Sequence, residues 1–363
     1  MNKRALISVY AKTNLIDFAK GLVELGWEII STGGTANLLL QEKIPVTKVS
    51  DITGFPEILG GRVKTLHPRI HGGILARRDK ISDLEELKGQ NIKPVDLVVV
   101  NLYPFKETVQ TEGASHEDII ENIDIGGPAL IRAAAKNYPH VGVIVNPAHY
   151  DLVLNELRSK GSLSLTTREK LAREAFLHTA HYDALISSYF SSRMTDGSEL
   201  FQKEMLLPLQ KVQDLRYGEN PQQKAAFYKD SYSPCPGLPQ IKQLHGKELS
   251  FNNLNDLQAA WELSREFTET TVVAVKHTNP CGVASGKTIF DAYVKAYEAD
   301  PVSIFGGIIV CNREIDELTA EKMSETFLEI VAAPSFSTAA TEILKKKKNL
   351  RLLLLPAVGK KCT

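Results

Sequence analysis

The chain has 363 residues, of which 43% are hydrophobic and 24% charged, as in a soluble globular protein of about two domains. Its 43 Lys+Arg residues balance 43 Asp+Glu residues, which excludes the basic surplus of a general nucleic-acid-binding protein. Cys235, Cys281, Cys311 and Cys362 lack CxxC spacing, and no signal peptide or apolar run of about 20 residues is present. We therefore expect a cytoplasmic protein with reduced thiols, no metal site and no membrane segment.

Predicted strands and helices alternate through the first part of the chain. Strands are predicted at "ALISVY", "WEIIS", "VDLVVVNLYPF" and "HVGVIV", and helices at "NLIDFAKGLVELG", "TANLLLQEK" and "PALIRAAAKN". Pro128 is expected at the first position of the last of these helices. A long helix over residues 166–190 follows, with one apolar stripe formed by Leu171, Ala175, Tyr182, Ile186 and Tyr189. The alternation predicts an α/β domain with a mostly parallel sheet covered on both faces.

A second alternating region follows a stretch without periodicity at residues 195–212. We place the domain boundary between residues 195 and 196. Helices are predicted at "LNDLQAAWELSREF" and "TIFDAYVKAYEA", and strands at "TVVAVKH", "SIFGGIIVCN", "EIVAAP" and "LRLLLLP". The last strand lies so near residue 363 that we expect it to expose apolar surface and to cause association.

Local positive charge marks the stretch "GGRVKTLHPRIHGGILARRD", residues 60–79. Because the whole chain is neutral, this cluster suits a small anion better than a polyanion. Arg62 offers a fork to a phosphate and Lys64 a point charge. Surface solvation is the preferred interpretation for Arg77 and Arg78.

The same stretch contains His67 and His71. A role in function and a structural role, in which the ring forms hydrogen bonds within the loop, are of equal weight for both residues. No acidic or cysteine residues surround them, which argues against a metal site.

The turn "STGGT", residues 31–35, lies between a predicted strand and a predicted helix. Its glycines let backbone N–H groups approach an anion at a helix N-terminus, although a tight turn with a threonine cap is the simpler interpretation. In an open α/β sheet, loops at the carboxyl ends of strands converge. "STGGT", "GGRVKTLHP", "NLYPF" and "IDIGG" are therefore predicted to share one crevice.

Three further candidates lie near this crevice: Tyr103, Asp124 and Lys136. Packing for the tyrosine and a turn or cap for the aspartate are the simpler alternatives. If Pro128 opens the helix, Lys136 lies about 12 Å from its start. Lys136 and Asp124 can therefore line one site only if the ligand is extended or the chain bends back.

In the second region, Lys276 and His277 end a predicted strand and precede a turn. His277 suits a general base near neutral pH and Lys276 a stabiliser of negative charge, with a histidine bonded into the turn as the alternative. Cys281 is interpreted as a buried thiol. Arg216 and Tyr217, in "LRYGENPQQ", suit an anion clamp with a stacking ring, or a domain junction.

Six ordered motifs together resemble one family: "STGGT", "GGRVKTLHPRIHGGILARR", "NLYPF", "IDIGGPALIRAAAKN", "LRYGENPQQ" and "KHTNPCG". They are similar to those of the bifunctional phosphoribosylaminoimidazolecarboxamide (AICAR) formyltransferase/IMP cyclohydrolase of purine biosynthesis. The resemblance implies a methylglyoxal-synthase-like cyclohydrolase domain over residues 1–195. It also implies that residues 196–363 are the first, incomplete part of a transformylase domain with cytidine-deaminase-like folds that lack zinc.

The resemblance also implies functional residues. Those implied to bind the nucleotide of the first domain are Lys12, Ser31, Thr32, Gly33, Gly34, Thr35, Arg62, Thr65, Asn101, Ile125 and Gly126. Those implied to catalyse ring closure are Lys64, Tyr103, Asp124 and Lys136. His277 is implied to be the formyl-transfer base, with Lys276 beside it. Those implied to contact the aminoimidazole ribotide are Arg216, Tyr217, Asn253, Gly306 and Glu329.

The first loop departs from the family's "SVSDKTG", because this chain has "SVYAKTN" with Tyr10, Ala11 and Asn14. Gln222 stands where some members have histidine. Family members also continue well beyond residue 363, so we expect an incomplete transferase domain and negligible formyl transfer by residues 1–363.

The partners implied are AICAR, formyl-AICAR, IMP and, as co-substrate, 10-formyltetrahydrofolate. The resemblance implies no tightly bound cofactor, no metal, no nucleic acid and no membrane, and it implies a homodimer. A methylglyoxal-synthase-like lyase is an alternative, but it leaves "LRYGENPQQ" and "KHTNPCG" unexplained. A second alternative is a non-catalytic nucleotide-binding module.

Overall fold

The computed structural model describes residues 2–193, 203–232 and 237–356. The chain divides into two units, Met1–Pro208 and Leu209–Thr363. The predicted boundary after residue 195 lies outside the described residues, as do Cys235 and Cys362. Within the described part of the chain, no helix is long and apolar enough to cross a bilayer.

The first unit is an open sheet between layers of helices. Its elements are β1 (Arg4–Val9), α1 (Leu15–Glu24), β2 (Glu28–Ser31), α2 (Gly33–Gln41), β3 (Thr47–Lys48), α3 (Val49–Thr53), α4 (Pro68–Leu75), α5 (Ile81–Gly89), β4 (Leu97–Asn101), α6 (Phe105–Gln110), α7 (His116–Glu121), α8 (Gly126–Lys136), β5 (Gly142–Ile144), α9 (Tyr150–Lys160) and α10 (Leu165–Ser192). The strand order is β3-β2-β1-β4-β5, and every pair is parallel. The predicted α/β class with a parallel sheet is confirmed.

Two predicted boundaries in this unit were wrong. The strand over residues 95–105 is only Leu97–Asn101, because the chain turns at Pro104 and enters α6. Helix α8 begins at Gly126, so Pro128 is its third residue. The helix starts early because the carboxylate of Asp124 accepts a hydrogen bond from the N–H of Gly127, at 2.7 Å, and so satisfies a free donor of the first turn.

The second unit contains a mixed sheet. Its elements are β6 (Leu209–Leu215), β7 (Ala225–Asp230), β8 (Lys242–His245), α11 (Phe251–Ser264), β9 (Thr271–Lys276), β10 (Asn279–Ser285), α12 (Ile289–Ala299), β11 (Ile308–Cys311), α13 (Glu317–Ser324), β12 (Ile330–Ala333), α14 (Thr338–Lys345) and β13 (Arg351–Leu354). The main sheet has the order β10-β9-β11-β12-β13-β8, in which only β11-β12 and β12-β13 are parallel. Strands β6 and β7 form a separate antiparallel pair.

The expectation that the last strand exposes apolar surface was wrong. Strand β13 lies between β12 and β8, so it is an interior strand of the sheet. Leu352 packs into the core on one face and Leu353 into the core on the other, and both are fully buried. The partner strand β8 comes from more than 100 residues earlier, and sequence periodicity gave no sign of it.

Candidate active site

A cavity of about 430 Å³ lies in the first unit, at the carboxyl ends of β1, β2 and β4 and beside the start of α8. Its volume is within the range of about 300–1,000 Å³ that is usual for ligand pockets. The predicted residues that line it are Lys12, Thr32, Gly33, Gly34, Thr35, Arg62, Lys64, Thr65, Asn101, Tyr103, Asp124, Ile125 and Gly126. The predicted convergence of four polar loops is therefore observed, because parallel strands end at one edge of their sheet.

Residues from two of the loops that line the cavity together hold a carboxylate of the protein itself, that of Glu57. The carboxylate of Glu57 accepts hydrogen bonds from the hydroxyl of Thr32, at 2.5 Å, and from the N–H of Gly33, at 3.2 Å. The ammonium of Lys64 lies 3.5 Å from the other carboxylate oxygen. Burial acts to raise the pKa of Glu57, but Thr32, the charge of Lys64 and the N–H of Gly33 outweigh it and hold that pKa below its ordinary value.

Glycine is required at position 61, where the side chain of Lys64 packs against the backbone of its own loop. Gly61 has a φ of +91°, and a Cβ there would lie 2.6 Å from Cε of Lys64. A side chain at Gly61 would therefore both strain the backbone and displace the lysine. The paired glycines of "GGRVK" thus serve to place the ammonium beside Thr32 and Gly33.

Asp124 also lines the cavity, with a half-buried carboxylate. Burial raises its pKa, although hydrogen bonds from the backbone of Gly127 and Tyr103 and the charge of Lys64 act to lower it. The hydroxyl of Tyr182, on α10, accepts a hydrogen bond from the N–H of Asp124 at 2.9 Å and so holds this loop. A half-buried carboxyl with a raised pKa, within the field of an ammonium, suits proton transfer.

The first loop is braced by side chains that the resemblance assigned to ligand contacts. The side-chain oxygen of Asn101 accepts from the N–H groups of Tyr10 and Ala11, at 2.6 and 2.9 Å. The ammonium of Lys12 donates to the hydroxyl of Thr35 at 2.9 Å, and burial lowers its pKa. Asn101 and Lys12 therefore keep this wall of the cavity in shape, and their predicted contacts with a nucleotide stay predictions.

Two predicted residues are not among those that line the cavity. Ser31 is fully buried, and its hydroxyl donates to the carbonyl of Ile7 at 2.7 Å, which ties β2 to β1. Lys136 is exposed at the end of α8, ten residues after Gly126, or about 15 Å along the helix. The geometric tension between Lys136 and Asp124 is thus larger than the sequence indicated, and a catalytic role for Lys136 stays a prediction.

Sequence reasoning missed two acidic residues: Glu121, which lines the cavity, and Glu57, which contacts residues that line it. Glu57 lies 24 residues after Gly33 in the chain, and only the fold brings the two together. Glu121, at the end of α7, lies 3.7 Å from Arg62, and both side chains are about two-thirds exposed. The cluster of basic residues at 60–79 could be recognised in the sequence, whereas its acidic partners Glu57 and Glu121 belong to no recognisable motif.

The two arginines at the end of the basic stretch form ion pairs. Arg77 makes a two-pronged contact with Asp83, at 2.8 Å for each nitrogen, and stays exposed as expected. Arg78 is half-buried and pairs with Asp96 at 2.6 Å, so the expected surface solvation was wrong for Arg78. The cause is its position at the end of α4, where its side chain also reaches the carbonyl of Val95.

The histidines of the basic stretch lie outside the cavity wall. The ring of His67 accepts a hydrogen bond from the N–H of Arg69, at 3.1 Å, and so caps α4. His71 is largely buried, which lowers its pKa. Over the ranges that the structure describes, no cluster of three or more His, Cys, Asp or Glu side chains could hold a metal ion.

In the second unit, predicted residues from distant segments meet at one edge of the main sheet. Lys276 ends β9, and Gly306 and Glu329 come just before β11 and β12. These positions are neighbours because Ile308 pairs with Val275 and with Ile330. The ammonium of Lys276 donates to the carbonyl of residue 305 at 2.9 Å, next to Gly306.

Glu329 is committed to another contact at that edge. Its carboxylate pairs at 2.7 Å with the guanidinium of Arg351, whose side chain is 4% exposed. A buried arginine needs such a partner, so the carboxylate has a structural task. A contact of Glu329 with a ribotide stays a prediction.

His277 lies in a strained hairpin turn between β9 and β10. His277 and Thr278 have φ values of 53° and 61°, which non-glycine residues rarely adopt. The N–H of Thr278 donates to the carboxylate of Asp256 at 2.8 Å, so α11 helps to hold the turn. The side chain of His277 is exposed. The "KHTNPCG" segment, predicted as a loop after the strand, therefore contains the start of an unpredicted strand.

The remaining predicted residues of this unit lie at the start of α11. The ring of Tyr217 lies under the guanidinium of Arg216, with 5.4 Å between the charge centre and the ring. The carbonyl of Tyr217 accepts from the N–H of Phe251 at 3.2 Å. Asn253 accepts from the N–H of Ser250 at 3.1 Å and so takes part in a capping box.

Cys281 behaves as a structural thiol. It is half-buried, its thiol lies 3.6 Å from the carbonyl of Ala274, and burial raises its pKa. A thiol whose thiolate is disfavoured is a poor nucleophile, in keeping with the sequence interpretation.

Comparison with known proteins covers nearly the whole chain. The family model of the AICARFT/IMPCHase bienzyme matches residues 134–362, and that of the MGS-like domain matches residues 14–129. The bifunctional purine biosynthesis protein PurH of Thermoanaerobacter sp. (strain X514) is 58% identical over 355 residues. PurH of Bacillus cereus (strain B4264) is 56% identical over 355 residues. Each alignment covers 98% of this chain and 69% of the relative.

Among solved structures, the crystal structure of ForH matches 52% of this chain and 100% of its own, with 38% identity and a TM-score of 0.47.

Proposed function

The chain belongs to the AICARFT/IMPCHase bienzyme family of purine biosynthesis, and we propose that the cavity of the Met1–Pro208 unit is the site of ring closure. The family unites AICAR formyltransferase and IMP cyclohydrolase activities in one protein. The observation that carries the proposal is that residues of one cavity include both groups that hold an anion and a half-buried acid. A nucleotide that carries one phosphate and a reactive base would use both.

Thr32, Gly33 and Lys64 would bind the 5′-phosphate of formyl-AICAR. The N–H of Gly33 stands at the start of α2, where the helix dipole favours negative charge. The hydroxyl of Thr32 and the ammonium of Lys64 already hold a carboxylate there. Arg62, exposed at the rim, can add a forked contact.

Ring closure joins the carboxamide nitrogen of formyl-AICAR to its own formyl carbon. The carboxamide nitrogen loses one of its two protons, and the formyl oxygen becomes a hydroxyl. The hydroxyl leaves as water while the formamide nitrogen loses its proton, and a double bond forms between that nitrogen and the former formyl carbon. Orientation, one oxyanion donor and one proton carrier suffice for such a reaction. Asp124 is suited to carry the proton, and Tyr103 to donate to the oxyanion.

An assay of IMP formation from formyl-AICAR tests this proposal. Lys64→Met should lower kcat/KM by about 10- to 10²-fold, the scale of one lost charge-assisted contact to the phosphate. The matched control is Lys20→Met, on the exposed face of α1, which should keep wild-type turnover. Wild-type turnover in the Lys64 variant would exclude the cavity as the site.

For the second unit, we propose that the sheet edge around His277 transfers a formyl group to AICAR from 10-formyltetrahydrofolate. The amine of AICAR attacks the formyl carbon, the bond from that carbon to N10 of the folate breaks, and the amine proton ends on N10. His277 would take up the proton, and Lys276, one residue away in the turn, would stabilise the tetrahedral oxyanion.

Two measurements test the transfer site. AICAR binding, followed by calorimetry, should weaken in Arg216→Ala, and formyl transfer should be lost in His277→Ala but kept in His245→Ala. Transfer that survives His277→Ala would exclude the histidine.

The partners proposed for this chain are these nucleotides and the folate, in a cytoplasmic homodimer. Support comes from the family membership and from the character of the cavity, which is sized for a small molecule. Sedimentation equilibrium would test the dimer, and a monomer at all concentrations would contradict it.

A further inference from the structure

Glu57 uses the same groups that are proposed to bind phosphate. One of its carboxylate oxygens accepts from both Thr32 and Gly33, and the other faces the ammonium of Lys64. These groups come from "STGGT" and "GGRVK", the two stretches that predicted an anion site. An acidic side chain of the protein thus sits where the ligand's acid is expected.

The two anions cannot share these donors. The backbone N–H of Gly33 and the hydroxyl of Thr32 each have one proton to donate. A phosphate placed on them would lie within a few ångströms of the Glu57 carboxylate, where like charges repel strongly in a half-buried site. Binding of phosphate therefore requires Glu57 to move away.

We propose that Glu57 is an internal competitor for the phosphate subsite, which a ligand must displace through ion exchange. The inference rests on the proposed function of the cavity and adds a determinant of its specificity. Glu57 has the freedom to leave, because about a third of its side chain is exposed and it lies in a loop between α3 and α4.

The exchange selects ligands by their phosphate. A phosphate dianion brings a second charge and more acceptor oxygens than the carboxylate, so it can replace Glu57 on all three groups. A nucleoside without phosphate supplies nothing in exchange, and Glu57 stays in place. The apparent affinity of every phosphate ligand is its intrinsic affinity multiplied by the fraction of molecules in which Glu57 has left the subsite.

The cavity supplies a matched comparison in Glu121. This carboxylate also faces a basic residue of the site, Arg62, but at 3.7 Å and with both side chains largely exposed. The groups at the helix start, Thr32 and Gly33, are held by Glu57 and not by Glu121. Removal of the Glu121 charge therefore changes the charge of the cavity by the same amount and leaves those contacts in place. An exposed pair of this kind contributes little.

The experiment is a calorimetric titration of the full chain with IMP, with inosine and with inorganic phosphate. Glu57→Gln keeps the shape of the side chain and removes its charge. We expect it to tighten IMP and phosphate binding about three- to tenfold, the value of a partly exposed ion pair with one charged hydrogen bond. Glu121→Gln should change IMP affinity by less than about twofold, and inosine binding should be unaffected in both variants.

Unchanged or weaker IMP binding in Glu57→Gln would overturn the proposal, and weaker binding would show instead that Glu57 positions Lys64. A crystal structure with bound IMP in which Glu57 still contacts Gly33 would also overturn the proposal. Failure of the proposed function gives a different pattern. IMP would then bind neither the wild type nor the Glu57→Gln variant, or it would bind the Lys64→Met variant with unchanged affinity. The unfolding midpoint of each variant confirms that the fold is kept.

Discussion

The two units begin from the same alternation of strands and helices and end with different kinds of site. In the first unit every strand pair is parallel, so all loops after the strands meet at one edge, and a helix start and two polar loops enclose a cavity. In the second unit the main sheet is mixed, and the candidate residues collect at an edge made by the end of β9 and the beginnings of β11 and β12. Strand direction, which the alternation does not specify, therefore decides how a site is built.

The two sites also store free energy differently. The first holds charges in half-buried pairs, with Glu57 against Lys64 and Asp124 in the field of the same lysine. The second holds its candidate base on a backbone turn in which two non-glycine residues have positive φ. Substitutions that remove charge should act mainly on the first unit, and those that relax the backbone mainly on the second.

The largest effect is expected from Asp124→Asn. Loss of the proton carrier should lower the rate of ring closure by about 10²- to 10⁴-fold. The same change should raise the stability of the first unit slightly, since the carboxylate is ionised at a cost and asparagine can still accept from Gly127. Rate and unfolding midpoint of the same variant provide the check, and a fall in both would contradict the electrostatic account.

The pH dependence of that stability difference follows from the sign of the shift. The folded-state pKa of Asp124 is raised, so the ionised carboxylate destabilises the fold at pH values above that pKa. As pH falls towards the ordinary value of 3.8, both states become protonated and the penalty disappears. Unfolding free energies of wild type and Asp124→Asn should therefore converge as the solution is acidified.

A smaller effect, confined to the second unit, is expected from Thr278→Gly. Threonine at a φ of 61° strains the turn, and glycine adopts that conformation freely, so stability should rise by about 1 kcal/mol. Denaturant unfolding measures the gain. Thr268→Gly, outside any positive-φ position, is the control and should not stabilise.

The smallest expected effect is on the acid sensitivity of the first unit. Burial lowers the pKa of His178, and the charge of His181 lowers it further, while Glu174 opposes both. The unfolded chain then binds a proton below pH 6.5 that the folded chain does not, so stability falls as pH falls. His178→Gln should flatten the curve of unfolding free energy against pH between 6.5 and 5. An unchanged slope would remove His178 as a source.

Much of the candidate site was visible in the sequence because its parts are local. A glycine turn after a strand, a basic loop and an acid before a helix each follow from a few neighbouring residues. Thirteen of the predicted residues line the cavity, whereas Ser31 points into the sheet and Lys136 lies at the far end of α8. A motif gives the identity of a residue, but the direction of its side chain depends on what packs around it.

The sequence by itself determined the alternation of elements, the parallel sheet of the first unit and the convergence of its polar loops, since these depend on short-range periodicity and backbone freedom. Only the tertiary structure decided that β13 is an interior strand beside β8, that β10 returns antiparallel to β9, and that Glu57 holds Thr32, Gly33 and Lys64. These features are pairings between segments far apart in the chain. Their free energy comes from contacts that exist only after folding, so no local pattern of residues specifies them.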